Sequence, residues 1–323
     1  MRIIEPIDVT PSALLYEDFT VQPDAAPVDL SDAKRLQVSV IAINIPEDDY
    51  PQWNDSEPYE VGDRVIRGVH CWECLADNTN KDPAVSNEDP PIWLDLGLTN
   101  RWRAFDGKLG TRTENPDLIS VSLALNTGID SIGFFGVDAA SVRVRVVDPF
   151  RGVIFEQTEV PVMTEAISNW HEYFFSEIEV REDFVMLDIP RAPSGALEIV
   201  LRKSGGIARV NSIIVGRAAE LGVAVYGTSV SIIDFSRKTR DEFGNTRIVK
   251  RDFSKRAEFD LKIETRRVGF VQRTLAKWRA QPLVWIGDPS LESTILLGYY
   301  QNFDISISGP SVSDGTITVE GVN

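Results

Sequence analysis

Alternation with a period of two constrains this chain more than any other feature. Residues 119–125 (ISVSLAL) put Ile119, Val121, Leu123 and Leu125 on one side. Residues 141–147 (SVRVRVV) set Val142, Val144 and Val146 against Arg143 and Arg145, and residues 196–202 (ALEIVLR) repeat the pattern through Leu197, Ile199 and Leu201. Successive side chains of a strand point to opposite faces, so each run reads as a strand with one face buried. Residues 36–43 (LQVSVIAI) read as a further strand, with Leu36, Val38, Val40 and Ala42 on one side. Turn residues separate the runs of 98–220 at intervals that suit a sandwich or jelly roll.

The expected fold class is therefore mainly β and multidomain: a small aromatic β module, a jelly-roll β-sandwich, and a C-terminal β domain with one packed helix. Residues 1–46 read as an N-terminal strand followed by an extended Pro- and Asp-rich connection. Residues 47–97 form the module, dense in Trp, Tyr, Pro, Asp and Asn and poor in aliphatics, so its core has to be aromatic. Residues 98–220 form the sandwich and 221–323 the last unit. In that unit Val268, Val271, Leu275 and Trp278 fall on one face of a helix over about 266–280, closed by Pro282. Asp314-Gly315 reads as a hairpin turn.

Charge is unevenly spread. The net charge is −16, of which residues 1–100 carry −14, while residues 237–279 carry +8. That balance excludes nucleic acid as a direct partner, because phosphate neutralisation needs a basic surface. An acidic front and a basic rear suit head-to-tail contacts between copies or with neighbours, or else form two solvated faces. Arg247, Lys250, Arg251, Lys255 and Arg256 are the candidate assembly interface. No run of about 18 uncharged apolar residues exists to span a membrane. The opening MRIIEPIDVT lacks the apolar core of a secretory signal, so synthesis in a cytoplasm is expected.

Catalytic signatures are missing. His70 and His171 are the only histidines, and no nucleophile elbow, metalloprotease, P-loop or dinucleotide motif occurs. Asp48, Asp49, Asp82, Glu88, Asp89 and Asp95 could supply a glycosidase pair, but they sit in a polar surface segment with nothing to raise a pKa. Cys71 and Cys74 fall on opposite faces of a strand over 69–75, which favours structural roles over metal binding. Asp106 and Asp117 could offer oxygens to calcium, although single Asp residues on loops are ordinary turn chemistry. No enzyme activity, metal or cofactor is expected.

The module carries the most informative motif: Trp53, then Tyr59-x-x-Gly62-Asp63-x-Val65, then Gly68-x-x-x-Trp72, then a late Trp93. Flat indole and phenol rings bind the C–H faces of sugars by apolar area and π density. The segment resembles the small chitin- and cellulose-binding modules of carbohydrate-binding families five and twelve, with one residue added between Gly68 and Trp72 and a Pro/Asp-rich loop before Trp93. The resemblance implies carbohydrate binding by residues among Trp53, Trp93, Tyr59 and Trp72. Tyr59 and Trp72 are expected to pack the module, and Trp53 and Trp93 to form the surface platform. The same module could serve as a spacer or docking unit.

A second resemblance covers the rest. Residues 98–116 (LTNRWRAFDGKLGTRTENP) and 212–227 (SIIVGRAAELGVAVYG) look like bacteriophage tail proteins that place such a module before a galactose-binding-like jelly roll. The basic stretch and helix, then QPLVWIGDP and LLGYYQNFDISI, look like a tail-tip or baseplate ending. The resemblance implies a structural virion protein, made in the host cytoplasm and sited in the tail. Its expected partners are tail tube, hub and tape-measure region, its own copies in a ring, and a bacterial surface polysaccharide. The alternative is a free carbohydrate-binding protein or an accessory to a glycan depolymerase.

Overall fold

The computed structural model describes residues 1–11, 38–85, 89–162, 170–171, 180–240 and 245–322. Leu36, Glu88 and residues 241–244 lie outside them.

The chain is mainly β, as the alternation requires. A six-stranded sheet runs in the order Gly152–Glu159, Ser141–Asp148, Ala196–Val210, Thr113–Leu125, Val38–Ile43, Val9–Pro11. Its strands are antiparallel except for the last pair. Ile119, Val121, Leu123, Leu125, Val142, Val144, Val146, Leu197, Ile199 and Leu201 all enter one core, as their alternation dictates. They pack on Ile132, Phe134, Phe184, Met186, Ile213 and Val215 of a second sheet. The Phe134 and Phe184 rings stack at 4.9 Å. In the strand Val38–Ile43 the register slips between Val40 and Ala42, so Val38 and Val40 point into this core but Ile43 follows them in place of Ala42. A bulge adds one residue and re-aims everything after it.

The second sheet has ten strands among the described residues. Its order is Phe184–Met186, Ser131–Phe135, Ser212–Glu220, Arg2–Pro6, Leu283–Ile286, Ile295–Ser306, Val312–Gly321, Phe253–Glu264 and Val223–Ala224, with Ser229–Asp234 also paired to Phe253–Glu264. The N-terminal strand Arg2–Pro6 thus lies between strands of the sandwich and strands of the C-terminal unit. Ile3 joins a core with Phe259, Trp285 and the helix residues Val271 and Leu275. Ile4, on the opposite face, joins Phe135, Val284 and Leu297.

The helix is Val268–Lys277, preceded by a 3-10 turn at Thr265–Arg267. Val271 and Leu275 are fully buried, and Val268 and Trp278 pack at the margin. Asp314-Gly315 is not a turn. It lies inside the strand Val312–Gly321, where Asp314 pairs with Lys262 and Gly315 passes Ile263, and the chain reverses over 307–311 instead. Glycine is used there for close packing: a Cβ on Gly315 would stand 2.9 Å from the Ile263 side chain.

Residues 44–112 leave and re-enter the six-stranded sheet between the paired strands Val38–Ile43 and Thr113–Leu125, so the module is an excursion from one hairpin. Its root is pinned by polar contacts. Arg103 pairs with Asp49 at 3.0 Å, Arg101 donates to the Ile45 carbonyl at 2.7 Å, and Thr99 Oγ1 donates to Glu47 at 3.1 Å.

Candidate functional site

The module is a three-stranded sheet, Arg64–Arg67, His70–Cys74 and Trp93–Leu98, with a two-stranded clip of Pro58–Tyr59 and Asn78–Thr79. Its core is Tyr59, Val65, Cys74 and Trp93, with Trp53, Trp72 and Ile92 packed at the margin. The strand pairing explains this set. Val65 stands opposite Trp72, and Cys74 opposite Trp93, so all four side chains share one face.

The four aromatics divide differently from the sequence expectation. Tyr59 is core, as expected. Its hydroxyl accepts from the Asn54 amide at 2.7 Å and donates to the Asn54 carbonyl at 3.1 Å. Trp93, read as platform, is only 6% exposed. It meets Tyr59 edge-on at 5.4 Å, and its Nε1 donates to the Lys81 carbonyl at 2.9 Å. Trp72, read as core, is half-buried at the open end of the same face, with the His70 ring 6.1 Å away. The physical reason is cover: the segment that follows Cys74 folds back over Trp93 and leaves Trp72 at the rim. Trp53 is half-buried, and the Arg67 guanidinium lies 4.9 Å over its ring.

Around Trp53 and Trp72 stand polar groups that the aromatic motif alone did not point to. Arg67 holds Asp82 through two nitrogens, at 3.0 and 2.6 Å, and this bond keeps the Asp82 carboxyl below the usual carboxylate range. His70 Nδ1 lies 3.0 Å from Asp95. The indole nitrogens of Trp53 and Trp72 are hidden from solvent and have no hydrogen-bond partner among the described residues. Both side chains are partly exposed at the margin of the module core.

Three of the carboxylates considered for catalysis, Asp49, Asp82 and Asp95, are engaged otherwise. Asp49 binds Arg103 and the Asn100 amide, Asp82 binds Arg67, and Asp95 accepts the Gly97 amide beside His70. Asp106 caps Lys108 N and accepts from Thr111, and Asp117 accepts the Gly205 amide at 2.6 Å. Each oxygen set serves a turn or an ion pair. Cys71 and Cys74 are both buried on opposite faces of their strand. Burial, with Asp49 nearby, pushes the Cys71 thiol up to about 11, and burial raises Cys74 as well. Neither is a thiolate at neutral pH.

The basic candidates also separate. Arg247, Lys250, Arg251 and Arg256 are exposed. Lys255 is committed within the chain: its ammonium lies 2.6 Å from Asp183 and 3.9 Å from Glu292. Burial and the Asp183 charge push the Glu292 carboxyl up. A long-range pair of this kind leaves no trace in local sequence.

No family model and no curated protein matches the chain. Solved structures overlap it in part. A CBM32 module from a family 31 glycoside hydrolase of Clostridium perfringens is 10% identical, with 35% of this chain and 80% of that one covered and a TM-score of 0.26. An F5/8 type C domain from Bacteroides fragilis is 10% identical over 36% of this chain and 78% of that one, with a TM-score of 0.24. A further CBM32 module of Clostridium perfringens, in complex with GalNAc-β-1,3-galactose, is 17% identical over 42% of this chain and 88% of that one, with a TM-score of 0.24. At such scores the overlap assigns no residue and no ligand to this chain.

Proposed function

We propose that this chain is a non-enzymatic glycan-binding structural protein whose module grips sugar through Trp53 and Trp72. The observation that carries this reading is the pair of partly exposed indoles on the excursion, flanked by the Arg67–Asp82 and His70–Asp95 pairs. Ring faces take the apolar side of a pyranose, and fixed charged groups at the rim take its hydroxyls. Tyr59 and Trp93 hold the scaffold that presents them.

In its finer form the reading makes the chain a component of a bacteriophage tail tip or baseplate, touching a host surface polysaccharide during adsorption. Support comes from the resemblance of residues 98–116, 212–227 and the C-terminal unit to tail proteins. The partners it implies are tail tube, hub and tape-measure region, with copies of this chain in a ring.

The test is binding of the full chain to an array of bacterial polysaccharides, followed by titration calorimetry on the best ligand. Trp53→Ala and Trp72→Ala should each weaken binding by about tenfold, the value of one lost aromatic stack. Unchanged affinity in both variants, or no ligand on any array, would overturn the sugar reading.

A further inference from the structure

Residues 229–240 and 245–258 form a two-stranded ribbon whose distal part leaves the large sheet. At its base Ser229–Asp234 pairs with the start of Phe253–Glu264, and beyond it Arg237–Arg240 pairs with Thr246–Val249. From residue 235 to 240 the ribbon reaches about 20 Å at roughly 3.3 Å per residue. Every residue of its two distal strands is exposed. Arg237 stands opposite Val249 and Lys238 opposite Ile248, so each face shows a cationic and an aliphatic side chain together. Ile248 is 61% exposed, and at the base Ile232 is 63% exposed. Residues 237–240 and 246–251 hold six basic side chains and no acidic one. A lone two-stranded ribbon with both faces bare is marginal in water, and exposed aliphatics framed by charge mark a contact surface.

The complementary surface is on the same chain. At the turn end of the module the Gly62 amide donates to the Cys74 carbonyl, and Val61 N donates to Asp77, which brings two turns together. Val61, 66% exposed, and Leu75 lie there as bare aliphatics. Glu57, Glu60, Asp63 and Asp77 surround them, all exposed, and residues 54–63 include no basic side chain. Within one copy neither surface is covered by the described residues.

We propose that the ribbon of one copy docks on the Val61/Leu75 turn patch of a second copy. Ile248 meets Val61 and Leu75, and Lys238 and Arg240, which share the ribbon face of Ile248, lie against Glu57 and Glu60. The contact is head-to-tail, so it closes into a cyclic oligomer where the rotation between copies allows and continues as a filament where it does not. It is independent of sugar binding, and its test uses no glycan.

The experiment is light scattering and sedimentation of the full chain over a range of concentration and salt. Association that weakens with salt is expected. Lys238→Glu with Arg240→Glu should weaken it by about a hundredfold, as should Glu57→Lys with Glu60→Lys, because like charges then face each other. Mixing the two double variants should restore association as a mixed oligomer, since a ribbon and a turn of opposite charge then meet only across the mixture. Circular dichroism on each chain checks the fold, and restoration itself requires both chains folded. A monomer at every concentration in low salt overturns the proposal. So does association that survives Glu57→Lys with Glu60→Lys, the result expected of ribbon-to-ribbon pairing, and so does a mixture of folded variants that stays monomeric.

Discussion

Trp53 carries an arginine on its ring, and that arginine is positioned by one carboxylate. The Asp82 carboxyl is held below its ordinary value by the Arg67 hydrogen bonds. A carboxyl depressed in the folded state contributes above its unfolded pKa and stops contributing as pH falls through the folded one. Sugar affinity should therefore stay level from pH 7 to about 5 and decline only below about pH 4, under the ordinary Asp value. Asp82→Asn should show the weakened affinity at all pH values and a flat profile. Calorimetric titration across that range checks it; a decline that sets in above pH 5 would overturn it. The motif placed all four aromatics in one module, but the depth read from it was reversed for Trp72 and Trp93. Trp72 and Trp93 lie on the same sheet face, and only the fold-back that brings the Lys81 carbonyl to the Trp93 nitrogen separates them. Such cover depends on a loop of Pro, Asp and Asn, whose composition says turn but not where it lands.

Among elements, the strands of the sandwich and the helix were legible because their periods, two and 3.6, are printed in single runs. The Val40/Ala42 bulge and the true position of the last turn were not. Both depend on which neighbour a strand meets. Glycines mark those meetings. A Cβ on Gly298 would lie 2.1 Å from the Glu320 carbonyl of the adjacent strand, so backbone would have to move, whereas one on Gly269, in the helix, meets nothing within 4 Å. Gly298→Ala should cost about 1–3 kcal/mol through overpacking. Gly269→Ala should gain up to about 1 kcal/mol from helix propensity. Urea unfolding of the two variants separates the cases; equal effects would mean that the strand edge yields freely. The ribbon shows the same limit: its basic composition was visible at once, but that both its faces are bare is a property of the assembled sheet.

At the scale of the whole molecule, one short strand joins what periodicity had kept apart. Arg2–Pro6 pairs with Ser212–Glu220 on one side and Leu283–Ile286 on the other. Residues 2 and 220 are neighbours in the sheet although more than two hundred positions separate them, and no local pattern encodes that. Ile3 and Ile4 are both fully buried, one in the core beneath the helix and one on the opposite face. Removing the strand would open two sheet edges and empty two cores at once, where each Ile→Ala change alone should cost about 2–5 kcal/mol. The sandwich and the C-terminal unit should then unfold together in the full chain, as one calorimetric transition with equal calorimetric and van't Hoff enthalpies. Deleting residues 2–6 should lower the midpoint and split the transition in two, because the seam between Ser212–Glu220 and Leu283–Ile286 is no longer bridged. Two transitions in the intact chain would show that the strand adds stability to each side without coupling them, and a single unshifted transition after deletion would show that the seam closes without it.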